Sequence, residues 1–107
     1  MKIYLSHPYG GKQENMVKAA RLARVYKAQW EKEGRDNVLV NPLEIFAGLS
    51  GVVDEDAILY AAIDLMRGCD AVMFAPGWEN SVGCQTERDV CREEGIEAYF
   101  VPAGMVA

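Results

Sequence analysis

The almost entirely apolar run at residues 70–75 (DAVMFA) lies between two segments with helical patterns, and this arrangement constrains the fold most strongly. An apolar run without polar alternation is typical of a strand in a parallel sheet that helices cover on both faces. The same alternation of strand and helix continues along the chain. We predict strands at residues 2–6, 37–40, 70–75 and 97–101, and helices at residues 13–33, 54–68 and 82–94.

The segments between these elements are short, with one exception. Residues 43–53 are apolar but rich in Gly and Ser without a clear period, so we predict a loop with room for one helical turn. Strands that alternate with helices imply right-handed crossovers and helices on both faces of the sheet. We therefore predict a single α/β domain over residues 1–107: a small three-layer Rossmann- or flavodoxin-like domain with a four- to five-stranded, mostly parallel sheet.

Composition narrows the classes of function. The formal net charge is −5, whereas a nucleic-acid-binding surface normally carries a basic patch. No window approaches the roughly 20 apolar residues that span a bilayer, and the N-terminal residues do not resemble a secretory signal. The three cysteines form no CxxC pair, which indicates reduced, buried thiols rather than a zinc site. We expect a cytoplasmic protein without a metal, a membrane or a nucleic acid as partner.

A single carboxylate in the last predicted helix is the strongest functional candidate. On a helical wheel, Glu87 falls on the same arc as Gly83, Cys84 and Cys91, which is the stripe that faces the sheet. A buried glutamate is costly unless it has partners or a function. The helical pattern leaves two alternatives open: a glutamate that bonds a neighbouring amide or tyrosine hydroxyl, or a glutamate that performs chemistry.

Two further candidates are less clear from the pattern. Asp64 lies opposite the main apolar arc of its helix, so it is either part of a second packed face or an exposed helix aspartate. Trp78 follows a glycine in the loop at residues 76–81. Its indole is expected to stack on a base beside the site, to cover the core or to lie in an interface.

Two loops offer groups that bind anions. The first loop, residues 7–12, follows a strand and contains His7, Gly10 and Gly11, and its glycines allow backbone N–H groups to converge on an anion. His7 is the single histidine. It is either a structural or exposed residue or a catalytic base, and we include it among the candidates for substrate contact. Ser81 lies at the start of the helix that carries Glu87, where a hydroxyl caps the helix and can also contact a phosphate.

The chain resembles the nucleoside 2-deoxyribosyltransferase-like superfamily in the KIYLS strand, the VNP turn and the PGWxxSxGxxxE loop and helix. The resemblance implies that Glu87 attacks C1′ of a deoxyribosyl group and forms a covalent sugar–enzyme intermediate, as in a retaining glycosidase. It further implies that Asp64 serves the leaving base and that the Tyr4 hydroxyl orients Glu87. Relatives that hydrolyse deoxynucleoside monophosphates have a serine at the position of Ser81, whereas those that act on free nucleosides usually have an acidic residue.

The first loop departs from the family pattern, because HPYGG is shorter than in the phosphate-binding relatives and lacks their serine and arginine. Related enzymes often complete the pocket with C-terminal residues of a second subunit, so we expect a homodimer or a higher homo-oligomer. We expect a deoxyribosyltransferase or N-glycosidase that acts on a small nucleotide or nucleoside and requires no cofactor. The alternatives are a nucleotide-binding sensor without turnover, and an enzyme that cleaves another N-riboside.

Overall fold

A computed structural model of the chain describes residues 1–49 and 51–105 and contains a four-stranded sheet with helices on both faces. The strands are β1 (Lys2–Ser6), β2 (Val38–Val40), β3 (Ala71–Phe74) and β4 (Glu97–Phe100). The helices are α1 (Gln13–Lys32), α2 (Pro42–Ile45), α3 (Glu55–Arg67) and α4 (Val82–Glu94), with 3₁₀ turns at Ala47–Leu49, Trp78–Asn80 and Ala103–Met105.

All strand pairs are parallel, and the strand order is β2-β1-β3-β4. The predicted α/β class and the mostly parallel sheet are therefore confirmed, with four strands among the described residues. The two central strands, β1 and β3, are the most buried, as the apolar run in β3 indicates. None of the described helices is long and apolar enough to cross a bilayer.

Two apolar layers hold the helices on the sheet. Because successive side chains of a strand point to opposite faces, Ile3 and Leu5 of β1 pack against α1, whereas Tyr4 packs against α3 on the other face. Helix α1 contributes the buried residues Ala19, Leu22, Ala23 and Trp30. Helices α3 and α4 contribute Ala62, Ile63, Met66 and Cys91 to the opposite layer.

The connection after β2 is more regular than its sequence indicates. The Asn41 side chain accepts a hydrogen bond from the Leu43 amide at 3.2 Å, and Pro42 begins the short helix α2. The Asn-Pro pair thus starts a helix, because proline is favourable in the first turn and asparagine is a good N-cap.

All three cysteines are free, but Cys69 is only half-buried. The prediction of buried thiols is therefore correct for Cys84 and Cys91 alone.

Candidate active site

A cavity of about 590 Å³ lies at the carboxyl end of the parallel strands, where open α/β sheets bind their ligands. The first loop, α2 and the N-terminal halves of α3 and α4 form its walls. The volume is within the usual range for sites that bind small molecules. Each residue that was predicted to bind or transform a ligand can therefore be located relative to this cavity.

Glu87 lies in the wall of this cavity and is 6% exposed. Its carboxylate accepts two hydrogen bonds from β1: the Tyr4 hydroxyl donates to Oε2, and the Ser6 hydroxyl donates to Oε1 at 2.9 Å. Tyr4 is 1% exposed and Ser6 is fully buried. The predicted position of Glu87 on the sheet-facing stripe of α4 is confirmed, and so is its contact with Tyr4.

The electrostatics of this cluster follow from burial. Burial raises the pKa of Glu87 above its ordinary value, and the bonds from Tyr4 and Ser6 lower it only in part. Burial and the adjacent Glu87 raise the pKa of Tyr4 far above its ordinary value, so Tyr4 acts as a hydrogen-bond donor and not as a base. The result is a carboxylate that is more basic than an exposed one and is held by two hydroxyl groups.

Ser81 and Gly83 line the same cavity at the start of α4. The Ser81 hydroxyl accepts a hydrogen bond from the Cys84 amide at 3.3 Å and so caps the helix. No acidic residue lies in the first turn of α4. This helix N-terminus therefore presents a positive dipole end to the cavity with no carboxylate in its own first turn.

The first loop forms a second wall. Gly10 and Gly11 have φ angles of 57° and 72°, in the left-handed region that glycine adopts readily. The Tyr9 carbonyl accepts hydrogen bonds from the Lys12 amide and the Asn15 side chain, which fixes the loop against the start of α1. Lys12 is exposed and lines the cavity. An exposed cation thus borders the end of the cavity that the glycines form.

His7 also lines the cavity, and burial lowers its pKa below the ordinary value. Its Nδ1 lies 2.8 Å from the Pro8 carbonyl oxygen, an arrangement that requires Nδ1 to carry the proton and donate it. In the neutral ring, Nε2 is then an acceptor. His7 is therefore suited to accept a hydrogen bond from a ligand.

Two predicted residues do not lie at the cavity. The Asp64 side chain is 77% exposed and pairs at 3.1 Å with Arg67, which also binds Glu94. The same helix turns Ala62 toward the cavity instead. Asp64 and Glu87 therefore do not face one cavity in this chain, although the resemblance implies that they do.

The Trp78 ring packs against Phe74 and Phe100. This position matches the expectation that Trp78 covers the core, and not the expectation that it stacks on a base.

Several residues of the site, including Ser6, Glu55 and Asp56, were not predicted from the sequence. Ser6 contacts Glu87, and the alternation of side chains along β1 could have revealed it, because Ser6 shares a face with Tyr4. Glu55 and Asp56 line the cavity from the first turn of α3. Their charges indicated the start of a helix, but nothing in the sequence indicated that they line a cavity.

Among the described residues, no group of three or more His, Cys, Asp or Glu side chains is placed to hold a metal ion.

Comparison with models of known protein families assigns the chain to one family. Residues 1–100 match the model of a family described as a domain of unknown function, DUF4406. The chain therefore belongs to this family. No curated protein and no solved structure matches it.

Proposed function

We propose that this DUF4406 protein cleaves or transfers at the N-glycosidic bond of a 2′-deoxyribonucleotide or deoxynucleoside, with Glu87 as the nucleophile. The observation that carries the proposal is a buried glutamate on the wall of a cavity, held at both carboxylate oxygens by hydroxyl donors. A carboxylate that is only 6% exposed and pairs with no cation among the described residues is expensive to keep. Such perturbed groups in clefts are candidates for chemistry.

The chemistry balances without a cofactor. A Glu87 carboxylate oxygen forms a bond to C1′ while the bond between C1′ and the base nitrogen breaks, and the electron pair leaves with the base. The leaving base takes up a proton from solvent. Water or a second base then attacks C1′ and releases a proton to solvent, the ester bond to Glu87 breaks and the carboxylate is regenerated, so the configuration at C1′ is retained.

The distribution of charge supports a phosphate at the α4 side of the cavity. The α4 N-terminus with Ser81, the Gly10–Gly11 turn and Lys12 all favour an anion there. The α3 N-terminus carries Glu55 and Asp56, which repel a phosphate. We therefore favour a deoxynucleoside 5′-monophosphate over a free nucleoside, with the base on the α3 side.

The leaving base needs a proton or a hydrogen-bond partner. Asp64 points to solvent in this chain, so the resemblance alone supports it in that role. Glu55 and Asp56 are the carboxylates on the α3 wall of the cavity, and we propose that they face the base.

Base release measured by HPLC tests the proposed reaction. Wild type is incubated with the four deoxynucleoside 5′-monophosphates and with the matching nucleosides, alone and with a second base. Glu87→Gln should abolish release and preserve ligand binding, because it keeps the side-chain volume and removes the nucleophile. Glu94→Gln is the matched control, since Glu94 lies on the same helix but is exposed and paired with Arg67. Release that persists in Glu87→Gln contradicts the proposal.

Ser81 variants separate helix capping from phosphate recognition. Ser81→Asp keeps an N-cap acceptor but adds a negative charge, so monophosphates should lose their advantage over nucleosides. Ser81→Gly weakens the cap by only a few tenths of a kcal/mol and removes the hydroxyl without adding charge. An unchanged preference in Ser81→Asp contradicts the assignment of the phosphate to this end of the cavity.

A nucleotide-binding module without turnover is the second candidate. The exposed position of Asp64 favours it, because the carboxylate that the resemblance assigns to the leaving base is not at the cavity. Calorimetric titration with the same monophosphates distinguishes the two functions. Binding without base release in wild type supports the module, whereas release that requires Glu87 supports the enzyme.

A further inference from the structure

Ser6 contacts Glu87 without being part of the cavity wall. Tyr4 and Glu87 both line the cavity, whereas Ser6 is fully buried and is not part of the cavity wall. Its hydroxyl donates to Oε1 of Glu87 at 2.9 Å, and the Tyr4 hydroxyl donates to Oε2. The two oxygens of one carboxylate are thus held by two residues on the same face of one strand.

This two-point contact fixes the plane of the carboxylate. The terminal torsion of a glutamate is broad and has no strong intrinsic preference, so one hydrogen bond alone leaves the carboxylate free to turn about it. Tyr4 and Ser6 lie two positions apart along β1, which corresponds to roughly 6.4–6.8 Å. A carboxylate bonded to both has one orientation, because rotation breaks at least one of the bonds.

Ser6 is well placed for this task because its backbone is rigid. It is paired with Phe74 of β3, and its carbonyl accepts a hydrogen bond from the Ala75 amide at 2.9 Å. Functional side chains are positioned more accurately by strands than by loops. The Cys84 thiol lies against the hydroxyls of Ser6 and Ser81, which further restricts the Ser6 side chain.

We infer that Ser6 is a positioning residue, which orients the Glu87 carboxylate for attack and does not touch the substrate. The role in attack rests on the proposed function. The contact itself and its effect on Glu87 do not, so they are tested separately below. An enzyme loses rate when a nucleophile is misoriented even though the substrate still binds. Ser6 should therefore affect kcat and leave KM nearly unchanged.

The ionisable surroundings of Glu87 make its titration a suitable readout. Strand β1 presents Tyr4, and α4 presents the thiols of Cys84 and Cys91. Beyond its first turn, helix α3 presents only apolar residues to Glu87, and so does β3. These residues are Ile58, Leu59 and Ala62 of α3 and Val72 and Phe74 of β3.

Other charged or titratable residues lie elsewhere in the cavity wall. They are His7, Tyr9, Lys12, Glu55 and Asp56. The nearest groups are neutral at pH 7, because burial raises the pKa of Tyr4, Cys84 and Cys91.

The test uses Ser6→Ala with two readouts. The first is kcat and KM for base release from a deoxynucleoside monophosphate, across pH. We expect a roughly ten- to hundredfold lower kcat, an unchanged KM and an acidic limb shifted to higher pH, because Glu87 loses a donor to its charged form. The second readout is the titration of the Glu87 carboxyl carbon by ¹³C NMR, assigned with Glu87→Gln, which should shift upward in the same variant.

Two further variants complete the test. Thr86→Ala removes a hydroxyl next to Glu87 in sequence that bonds only the Val82 carbonyl, and it should change neither readout. Ser6→Cys keeps a weaker donor at the same position and should give intermediate values, which provides a second measurement if Ser6→Ala folds poorly. A purely structural role of Ser6 predicts a lower Tm with an unchanged pH profile and carbon titration, and this result overturns the inference.

The two readouts separate failure of this inference from failure of the proposed function. If wild type releases no base, the proposed reaction is wrong, and the carbon titration still decides whether Ser6 holds the carboxylate. If wild type releases base and Ser6→Ala matches it in kcat, Ser6 does not position Glu87 for attack.

Discussion

Removal of the Tyr4 hydroxyl isolates the energetics of the buried carboxylate. In Tyr4→Phe the ring stays in the core, and Glu87 loses the donor to Oε2 while Ser6 still holds Oε1. A hydrogen bond to a charged group contributes about 1.5–3 kcal/mol, against about 0.5–1.5 kcal/mol for a neutral pair. We expect Tyr4→Phe to lower the free energy of unfolding by about 1.5–3 kcal/mol where Glu87 is ionised.

The loss should depend on pH in a definite direction. Burial raises the pKa of Glu87, and removal of a donor raises it further, so an ionised Glu87 is less favourable in the variant than in wild type. The folded state of each protein loses stability as pH rises through the folded pKa of Glu87, and the variant loses more. The difference between them should therefore be smallest in acid, where Glu87 is protonated, and largest above neutral pH.

Urea unfolding followed by circular dichroism across pH measures this difference, with Tyr99→Phe as the control. The Tyr99 hydroxyl donates to Glu97 at 2.7 Å, which is the same pair of groups in an exposed position. Its removal should change stability little at any pH, because water replaces the lost partner. Equal effects of the two substitutions, or a Tyr4→Phe effect independent of pH, would show that burial does not strengthen the bond from Tyr4 to Glu87.

Three further predictions concern stability and use the same unfolding assay. Glu87→Gln should be more stable than wild type above neutral pH, because the raised pKa of Glu87 makes its ionised form unfavourable in the folded state. The gain in stability should vanish in acid, where Glu87 is protonated. A gain that persists in acid would contradict this explanation. Leu22→Ala should cost about 2–5 kcal/mol, since Leu22 is 1% exposed in the layer between α1 and the sheet; a smaller loss would contradict the close packing there. Arg67→Ala should cause a small loss that decreases with added salt, because Arg67 pairs with Asp64 and Glu94 on the surface; a large, salt-independent loss would contradict this.

Local patterns were sufficient to predict the sheet and the position of Glu87. The run in β3 and the strand–helix alternation determine a parallel sheet, and the glutamate falls on the stripe with Cys84 and Cys91 because α4 has a regular period. Gly95 ends this helix with a φ of 69°, so the stripe stops where the sequence indicates. These features depend on contacts within one element or between neighbours in sequence.

The walls of the cavity were harder to predict, because they bring together residues distant in sequence. Asp64 illustrates the difficulty: its helical wheel left open an exposed aspartate or a second packed face, the resemblance implied a role in the site, and the structure shows an exposed side chain. Glu55 and Asp56 reach the cavity only because the crossover returns α3 to the edge at which β1 ends. The helix α2 follows from an Asn-Pro cap within a segment that has no period, so periodicity alone did not reveal it.

As the proposed nucleophile, Glu87 forms a covalent bond with the sugar. The most direct measurement is mass spectrometry of wild type quenched in acid during turnover of a deoxynucleoside monophosphate, followed by peptide mapping, with Glu87→Gln treated in parallel. We expect a deoxyribose phosphate adduct on the peptide that contains Glu87, and no adduct in the variant. Base release with the adduct on another residue, or undiminished release by Glu87→Gln, would contradict it.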